Sequence, residues 1–156
     1  MLTIAVPGGQ VLQLTHLVLD YNGTIAMDGR LIDRVAERLA RLAPDLQIHV
    51  LTADTHDTVA NESEALPCRL AIIPPDNQDQ AKLAYIEQLD PQRVAAIGNG
   101  RNDCLMLGRA ALGIAIVGGE GASGRALVAA DLVCTDIAGA LDLLLAPKRL
   151  QATLRN

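Results

Sequence analysis

Short apolar runs alternate along the chain with longer segments in which apolar residues recur every three or four positions. The short runs predict strands, and the longer segments predict helices. Most of the runs are continuous stretches of Leu, Val, Ile and Ala, which is typical of strands buried on both faces of a parallel sheet. The predicted strands span residues 2–6, 11–14, 17–19, 47–51, 70–73, 94–97, 114–117 and 132–134.

Helical segments separate these strands. The predicted helices span residues 31–42, 55–66, 79–89, 103–110, 123–130 and 137–145, and a basic tail is expected after Pro147. Strands that alternate with helices of this length favour an α/β fold, with one Rossmann-like parallel sheet covered by helices on both faces. The first two strands flank Pro7-Gly8-Gly9-Gln10 and predict an N-terminal β-hairpin or edge strand. At 156 residues the chain is expected to form a single domain over 1–156.

Composition narrows the possible partners. Half of the residues are hydrophobic, yet the chain has two Tyr, no Trp and no Phe, so the predicted core is aliphatic. No aromatic platform is available for stacking bases, and a formal charge of -5 repels a phosphate backbone. Nucleic-acid binding is therefore not expected.

Cysteine usage and the N-terminus bear on the compartment. The three cysteines, Cys68, Cys104 and Cys134, form no CxxC pair, which argues against a zinc site or a disulfide framework and favours a reducing environment. The N-terminal segment lacks the basic start of a signal peptide. No apolar run approaches the roughly 20 residues that span a bilayer. We expect a cytoplasmic protein that does not associate with membranes.

Polar side chains stand where several predicted strands end. Asp20, Thr52 and the segment 99–103 each follow an apolar run. Because the carboxyl ends of parallel strands meet at one edge, these groups can converge although they are distant in sequence. Lys82 stands in the first turn of a predicted helix, where a cation opposes the helix dipole, and an anion nearby would explain that position. Together these residues predict a Mg²⁺-assisted phosphoryl site.

Four segments resemble the ordered motifs of the haloacid dehalogenase (HAD) superfamily. They are DYNGT (20–24), LTAD (51–54), Lys82 and GNGRND (98–103). More narrowly, they are similar to the phosphorylation domain of P-type ATPases, and the segment 113–136 also resembles the corresponding stretch there. The resemblance covers nearly the whole chain and extends to the small family of soluble P-type ATPase-like proteins.

The resemblance implies a Mg²⁺-dependent hydrolase that acts on a phosphate ester or anhydride through an aspartyl-phosphate on Asp20. A carboxylate nucleophile splits one difficult displacement into two easier steps. The implied catalytic residues are Asp20, Asn22, Thr52 and Lys82. The implied phosphate-binding residues are Asp20, Gly23, Thr52 and Lys82. The implied magnesium ligands are Asp20, the backbone carbonyl of Asn22, Asn99 and Asp103.

Two positions depart from the family pattern. Phosphatases of the superfamily usually carry Asp where this chain has Asn22, and an amide cannot exchange a proton. General acid–base assistance is worth roughly 10²–10⁴-fold, so we expect slow turnover. At Asn99 the family usually has a carboxylate, so magnesium is expected to bind more weakly. The alternative function is a catalytically weak phosphate-binding or regulatory module that acts through protein partners.

The segments between the motifs are too short for a cap or a nucleotide domain. The site is therefore expected to be open, to accept a phosphorylated small molecule or macromolecule, and to be covered by another subunit of a homo-oligomer. A dinucleotide-binding enzyme is a third possible function, because 119–124 satisfies GxGxxG, a dinucleotide-binding pattern. A tight strand-to-helix turn explains these glycines better, since no second βαβ half follows.

Overall fold

Ten strands form the sheets of the computed structural model, which describes residues 1–54 and 57–155. In chain order they are β1 (Leu2–Ala5), β2 (Val11–Leu14), β3 (His16–Asp20), β4 (Ala26–Met27), β5 (Arg30–Leu31), β6 (Gln47–Thr52), β7 (Cys68–Ile72), β8 (Val94–Gly98), β9 (Leu112–Ile116) and β10 (Leu132–Cys134). Six of them make a parallel sheet in the order β10-β9-β8-β3-β6-β7, with β3 between β8 and β6. The α/β fold and the parallel sheet are confirmed.

Seven α-helices connect and flank the strands of the described chain. They are α1 (Val35–Leu42), α2 (Asp57–Glu64), α3 (Gln78–Glu87), α4 (Cys104–Arg109), α5 (Gly124–Ala129), α6 (Ile137–Leu145) and α7 (Pro147–Leu154), and short 3₁₀ turns span Pro91–Arg93 and Arg101–Asp103. None of these helices combines the length and the apolar character that crossing a bilayer requires.

The aliphatic core lies on both faces of the sheet because side chains alternate along each strand. Leu17 and Leu19 of β3 belong to the cluster that also holds residues of α1 and α6. Val18, between them, belongs to a second cluster that holds residues of α3 and α4. A strand buried on both faces has no polar positions in its middle, so the polar residues of β3, His16 and Asp20, stand at its two ends.

The segment between β3 and α1 differs from the sequence prediction. β4 and β5 pair antiparallel as a small hairpin, here called the flap. The sequence of residues 27–30 is typical of a tight turn, and the turn lies between the two strands at Asp28 and Gly29, both with positive φ. The predicted helix start at residue 31 is wrong, since α1 begins at Val35 after Arg34 adopts a φ of 67°. The predicted start of the second helix, Thr55, lies outside the described residues.

The two terminal segments pack against each other, with α7 in contact with β1. β1 and β2 pair antiparallel, which confirms the predicted N-terminal hairpin. The basic segment after Pro147 forms α7, a helix that the sequence analysis does not predict, with Pro147 in its first turn and Leu150 fully buried. Proline favours the first turn of a helix as readily as it ends one, so the same residue fits both interpretations.

Candidate active site

The candidate site lies at the carboxyl edge of the three central strands. Asp20 is the last residue of β3, Thr52 is the last residue of β6, and Asn99 directly follows β8. Because β3 pairs with both β6 and β8, the three positions are neighbours across the sheet. The strand ends therefore converge as the sequence predicts, with Asp20 at the centre.

Lys82 joins two carboxylates in the interior. Its Nζ atom lies 2.6 Å from Asp20 Oδ1 and 2.6 Å from Asp103 Oδ1, and its side chain is 1% exposed. The first-turn position predicted for Lys82 is wrong, since α3 begins at Gln78 and Lys82 stands in its second turn. The lysine nevertheless faces anions, as the sequence argument proposed, and these anions belong to the protein itself.

Electrostatics at the cluster disfavour a second negative charge. Burial and the nearby charge of Asp103 raise the pKa of Asp20 to about 7, although Lys82 and Thr24 act in the opposite direction. Burial alone would lower the pKa of Lys82, but Asp20 and Asp103 outweigh it and raise the pKa. Lys82 is therefore a permanent cation beside Asp20, and it offsets one of the two carboxylate charges.

Asp103 fixes the loop that follows β8. Its Oδ2 atom accepts the backbone N–H groups of Asn99 (3.0 Å) and Gly100 (2.8 Å), while Oδ1 accepts Lys82. The side chain is fully buried, and a Cβ atom at Gly98 would lie 2.5 Å from its Oδ2. Asp103 thus holds both the lysine and the loop, and its predicted place in a magnesium shell stays a prediction.

Thr24 lies between the side-chain oxygens of Asp20 and Asn99. Its hydroxyl donates to Asp20 Oδ2 (3.1 Å) and lies 3.3 Å from Asn99 Oδ1. Asn99 Nδ2 donates to the Gly121 carbonyl (3.1 Å), which turns Asn99 Oδ1 toward Thr24. Thr24 lies within the DYNGT motif, but the sequence analysis gives it no role. Its position four residues after Asp20 is the signal that could have indicated one.

Asn22 and Gly23, two and three residues after Asp20, have different surroundings. Asn22 is exposed at the edge of the sheet, where a substrate would arrive. Gly23 is buried with a φ of 79°, and its N–H donates to the Ala26 carbonyl (2.8 Å). A Cβ atom there would lie 2.5 Å from Asn99 Nδ2, so glycine is required by close approach as well as by conformation. The phosphate-binding role of Gly23 stays a prediction.

Thr52 and the glycine-rich loop complete the surroundings. Thr52 is buried, and its hydroxyl accepts the Asp54 N–H (3.0 Å). Within the glycine-rich loop, Ser123 donates its N–H to the Asn99 carbonyl (2.8 Å). Together with the Gly121 contact, this bond makes the loop a support for Asn99, so the glycines have a structural use that needs no dinucleotide.

The carboxylate of Asp20 and the amide oxygen of Asn99 are of the ligand types that magnesium binds. Magnesium is held in proteins by one or two carboxylates together with waters and substrate phosphates. Asp20 Oδ2 and Asn99 Oδ1 both lie within 3.3 Å of the Thr24 hydroxyl, so one carboxylate oxygen and one amide oxygen lie near each other. No cluster of three or more His, Cys, Asp or Glu side chains suited to a metal occurs among the described residues. The donor set is thus low in charge.

Comparison with known proteins places the chain in a family. No family model matches the sequence. Uncharacterized protein MJ0073 of Methanocaldococcus jannaschii is 46% identical over 80 residues, which cover 49% of this chain and 86% of that protein. The chain belongs to the family of MJ0073. Uncharacterized protein MJ0072 of the same organism is 46% identical over 41 residues, 26% of this chain and 93% of that protein.

Solved structures show which fold this family member has. A protein of Legionella pneumophila described as a HAD superfamily (subfamily III A) hydrolase matches with a TM-score of 0.73 and 16% identity, over 92% of this chain and 88% of that one. The cobalt-bound deoxy-D-mannose-octulosonate 8-phosphate phosphatase of Haemophilus influenzae matches with a TM-score of 0.71 and 14% identity, over 90% and 92%. The fold is that of the HAD superfamily, as the motifs indicated.

A third structure was determined with ligands. The 3-deoxy-D-manno-octulosonate 8-phosphate phosphatase of Moraxella catarrhalis, in complex with magnesium, phosphate and KDO, matches with a TM-score of 0.67 and 17% identity. The matched regions cover 90% of this chain and 92% of that one. At this level of identity, the likeness extends to the fold and not to the substrate.

Proposed function

We propose that this protein is a Mg²⁺-dependent phosphohydrolase that acts on a phosphate ester or anhydride through a phosphorylated Asp20. The observation that carries the proposal is the buried cation between two carboxylates, with Lys82 Nζ 2.6 Å from both Asp20 and Asp103 at the open edge of the sheet. Burying these charges carries a desolvation cost that the ion pairs barely offset, so the cluster contributes little to stability. A role in chemistry explains its presence better. Magnesium-containing and phosphatase neighbours of the same fold support the class of reaction.

In the first step an Asp20 oxygen forms a bond to phosphorus while the bond from phosphorus to the leaving oxygen breaks. In this proposal Lys82, and the Thr52 hydroxyl at the end of the adjacent strand, offset charge on the transferring phosphoryl group. Asp20 and Asn99, with the backbone carbonyl of Asn22, would hold magnesium, which adds a further positive charge near that group when bound. Thr24 and Lys82 orient the two Asp20 oxygens.

In the second step water attacks the phosphorus of the aspartyl-phosphate, and inorganic phosphate leaves with the original carboxylate restored. The Asn22 amide cannot take the proton from this water or give one to the leaving oxygen, so solvent must do both. Losing a general acid–base group costs about 10²–10⁴-fold in rate. The phosphoenzyme is therefore expected to form and then to break down slowly.

The test measures phosphorylation and turnover separately. Acetyl phosphate with Mg²⁺ should add one phosphoryl group to the intact protein, seen by mass spectrometry after an acid quench, and Asp20→Asn should abolish it. Asn22→Asp should raise steady-state phosphate release about tenfold or more, since it restores a proton carrier. Asp45→Asn, an exposed carboxylate outside the site, is the matched control and should behave like the wild type. Phosphorylation that survives in Asp20→Asn would refute the mechanism.

A catalytically weak phosphate-binding module is the second candidate, and the two neutral amides favour it. Asn22 and Asn99 stand where catalysis would profit from carboxylates, and Asn99 is firmly held by Gly121. This candidate requires that inorganic phosphate bind with Mg²⁺ while neither the wild type nor Asn22→Asp is phosphorylated. The expected cytoplasmic location and the homo-oligomer that covers the edge stay predictions, and sedimentation tests the latter.

A further inference from the structure

A cavity opens beside residues 21–25, the loop that follows Asp20 and is here called the nucleophile loop. It measures about 250 Å³ and reaches Gly23, the residue three positions after Asp20. Its other walls come from the flap, from the end of β9 and from the start of α6. Gly23 therefore lies both in the cavity wall and in the loop that follows Asp20, which makes the cavity a neighbour of the candidate site.

Aliphatic side chains form most of the cavity wall. Ile32, Ile116 and Ile137 line it together with Ala26 and Met27 of the flap. The Met27 side chain lies against Gly119, where an added Cβ atom would be 2.5 Å from the Met27 Sδ atom. Methionine adapts its shape to irregular apolar partners, and its side chain here is 46% exposed. Such a wall accepts a hydrocarbon surface and offers few partners to hydroxyl groups.

The charged groups at the cavity are acidic, and Thr135 adds one neutral hydroxyl. Glu120 and Asp136 line it, and no Lys, Arg or His side chain does so within the described chain. Asp136 also caps α6, accepting the Gly139 N–H at 2.7 Å. A carboxylate in that position offsets the partial positive charge that a helix N-terminus would otherwise present to an anion. The cavity thus repels negatively charged groups.

We infer that this cavity receives the alcohol portion of the substrate, and that this portion is a small apolar group that is neutral or cationic. The inference rests on the proposed function and names its substrate class. Cavities for drug-sized ligands measure roughly 300–1,000 Å³, so a volume of about 250 Å³ suits a single ring or a short branched chain. The phosphatases of the same fold named above act on an octulosonate phosphate, a sugar acid, which this cavity disfavours by both polarity and charge.

Binding to the cavity can be tested without any turnover. The δ1-methyl groups of isoleucine are observed by NMR while benzyl alcohol or gluconate is added to the wild type. Benzyl alcohol should shift the methyl signals of Ile32, Ile116 and Ile137 and leave those of Ile4 and Ile86, which lie away from the cavity, unchanged. Gluconate should shift none of them. Shifts with gluconate, or none at the three cavity residues with benzyl alcohol, would overturn the inference.

Substrate selection provides the second test. Phenyl phosphate should be hydrolysed with a kcat/KM at least about tenfold above that of 6-phosphogluconate, in line with what a hydrophobic pocket discriminates. Ala138→Leu fills the cavity and should lower the kcat/KM ratio of phenyl phosphate to acetyl phosphate about tenfold. Ala40→Leu, exposed on α1, is the matched control and should keep the ratio. An unchanged ratio in Ala138→Leu would refute the substrate class.

The two proposals fail in different ways. If Asp20 is not phosphorylated and no ester is hydrolysed, the proposed hydrolase is wrong, whatever the isoleucine signals show. If Asp20 is phosphorylated but benzyl alcohol leaves the cavity methyl groups unmoved, the hydrolase stands and the inferred substrate class is wrong. The NMR result therefore decides the cavity, and the phosphoenzyme decides the mechanism.

Discussion

Strand β3 carries a buried polar cluster at each end, and the two clusters are built differently. At its start, His16 Nδ1 lies 3.1 Å from His49 Nε2, and His49 Nδ1 lies 2.9 Å from the Tyr85 hydroxyl. At its end, Asp20 meets Lys82 and, through it, Asp103. Five residues of one strand thus join a chain of uncharged hydrogen bonds to a cluster of charges, roughly 13 Å apart.

From this difference we expect the histidine cluster to be structural and the cluster at Asp20 to be reactive. Burial lowers the pKa of His49 to about 4, with the charges of His16 and Arg69 acting in the same direction, so the imidazole stays neutral at pH 7. Burial instead raises the pKa of Asp20 to about 7, so its ionised form is held in place against a cost. Burial of polar groups alone therefore does not mark function, whereas a buried carboxyl group whose pKa is shifted to about 7 beside charged partners marks a candidate reactive group.

Removing Lys82 should have the largest effect on this contrast. Lys82→Met leaves Asp20 and Asp103 buried without a cation between them, and breaking such a pair costs about 3–5 kcal/mol. Denaturant unfolding should show this loss, while Lys148→Met, an exposed lysine of α7, should change stability little. Adding Asp20→Asn to Lys82→Met should recover part of the loss, because one of the opposed charges is removed. Equal stability of Lys82→Met and the wild type would contradict the assignment of a buried charged cluster.

The histidine cluster should respond to pH instead. Unfolded His49 binds a proton near pH 6.5, whereas the folded imidazole resists protonation until about pH 4. Between these values the unfolded state holds more protons, so stability is present above pH 6.5 and is lost as the pH falls, by about 2–3 kcal/mol for this residue. The pKa of His16 is also lowered, by burial and then by Arg93, and acts in the same direction. An NMR titration of His49 that shows a midpoint near 6.5 would contradict this prediction.

Sequence reasoning reached the fold and the centre of the site for a physical reason. Apolar runs mark buried strands, and a parallel sheet brings the ends of those strands together. Asp20, Thr52 and Asn99 were therefore brought together by topology alone. The residue types at these strand ends predict a Mg²⁺-assisted phosphoryl site, and the resemblance of the motifs adds the role of each residue, since a strand end by itself does not distinguish a nucleophile from a turn residue.

The remaining features depend on contacts that local patterns do not encode. The pairing of Lys82 with Asp103 joins α3 to the loop after β8. The strands of the flap are two residues long, too short for any periodicity, although Asp28-Gly29 indicated the turn. Leu31 has a helical spacing from Val35 and yet belongs to β5. The helical spacing of apolar residues therefore indicates that a helix is present but does not determine the residue at which it starts.

Gly98 tests how closely the charged cluster is packed. Gly98→Ala would place a Cβ atom 2.5 Å from Asp103 Oδ2, displacing the side chain that holds Lys82 and the loop, at an expected cost of about 1–3 kcal/mol. Gly108→Ala is the matched control, because its Cβ would meet only ordinary contacts at 3.7 Å or beyond inside α4. That control should gain roughly 0.5–1 kcal/mol. Denaturant unfolding of both variants measures the contrast, and a stable Gly98→Ala would contradict it.

The two tyrosines of the chain allow the smallest and most selective test. Tyr85 donates to or accepts from His49 in the uncharged cluster, whereas the Tyr21 hydroxyl donates to the Gly29 carbonyl and ties the flap to the residue after the nucleophile. Tyr85→Phe and Tyr21→Phe each remove one hydrogen bond and should each cost about 0.5–1.5 kcal/mol. Their effects on kcat/KM for phenyl phosphate should differ. Tyr85→Phe should leave it unchanged, because its cluster lies at the far end of β3.

Tyr21→Phe should lower kcat/KM several-fold, since the flap supplies Ala26 and Met27 to the cavity wall and loses its tie to the nucleophile loop. Steady-state assays beside urea unfolding of the same two preparations separate activity from stability. If Tyr85→Phe impaired hydrolysis as much as Tyr21→Phe, the two ends of β3 would be coupled, and the division into a structural and a reactive cluster would be wrong. With equal losses of stability, unequal losses of activity can only arise from where the lost hydrogen bond lies.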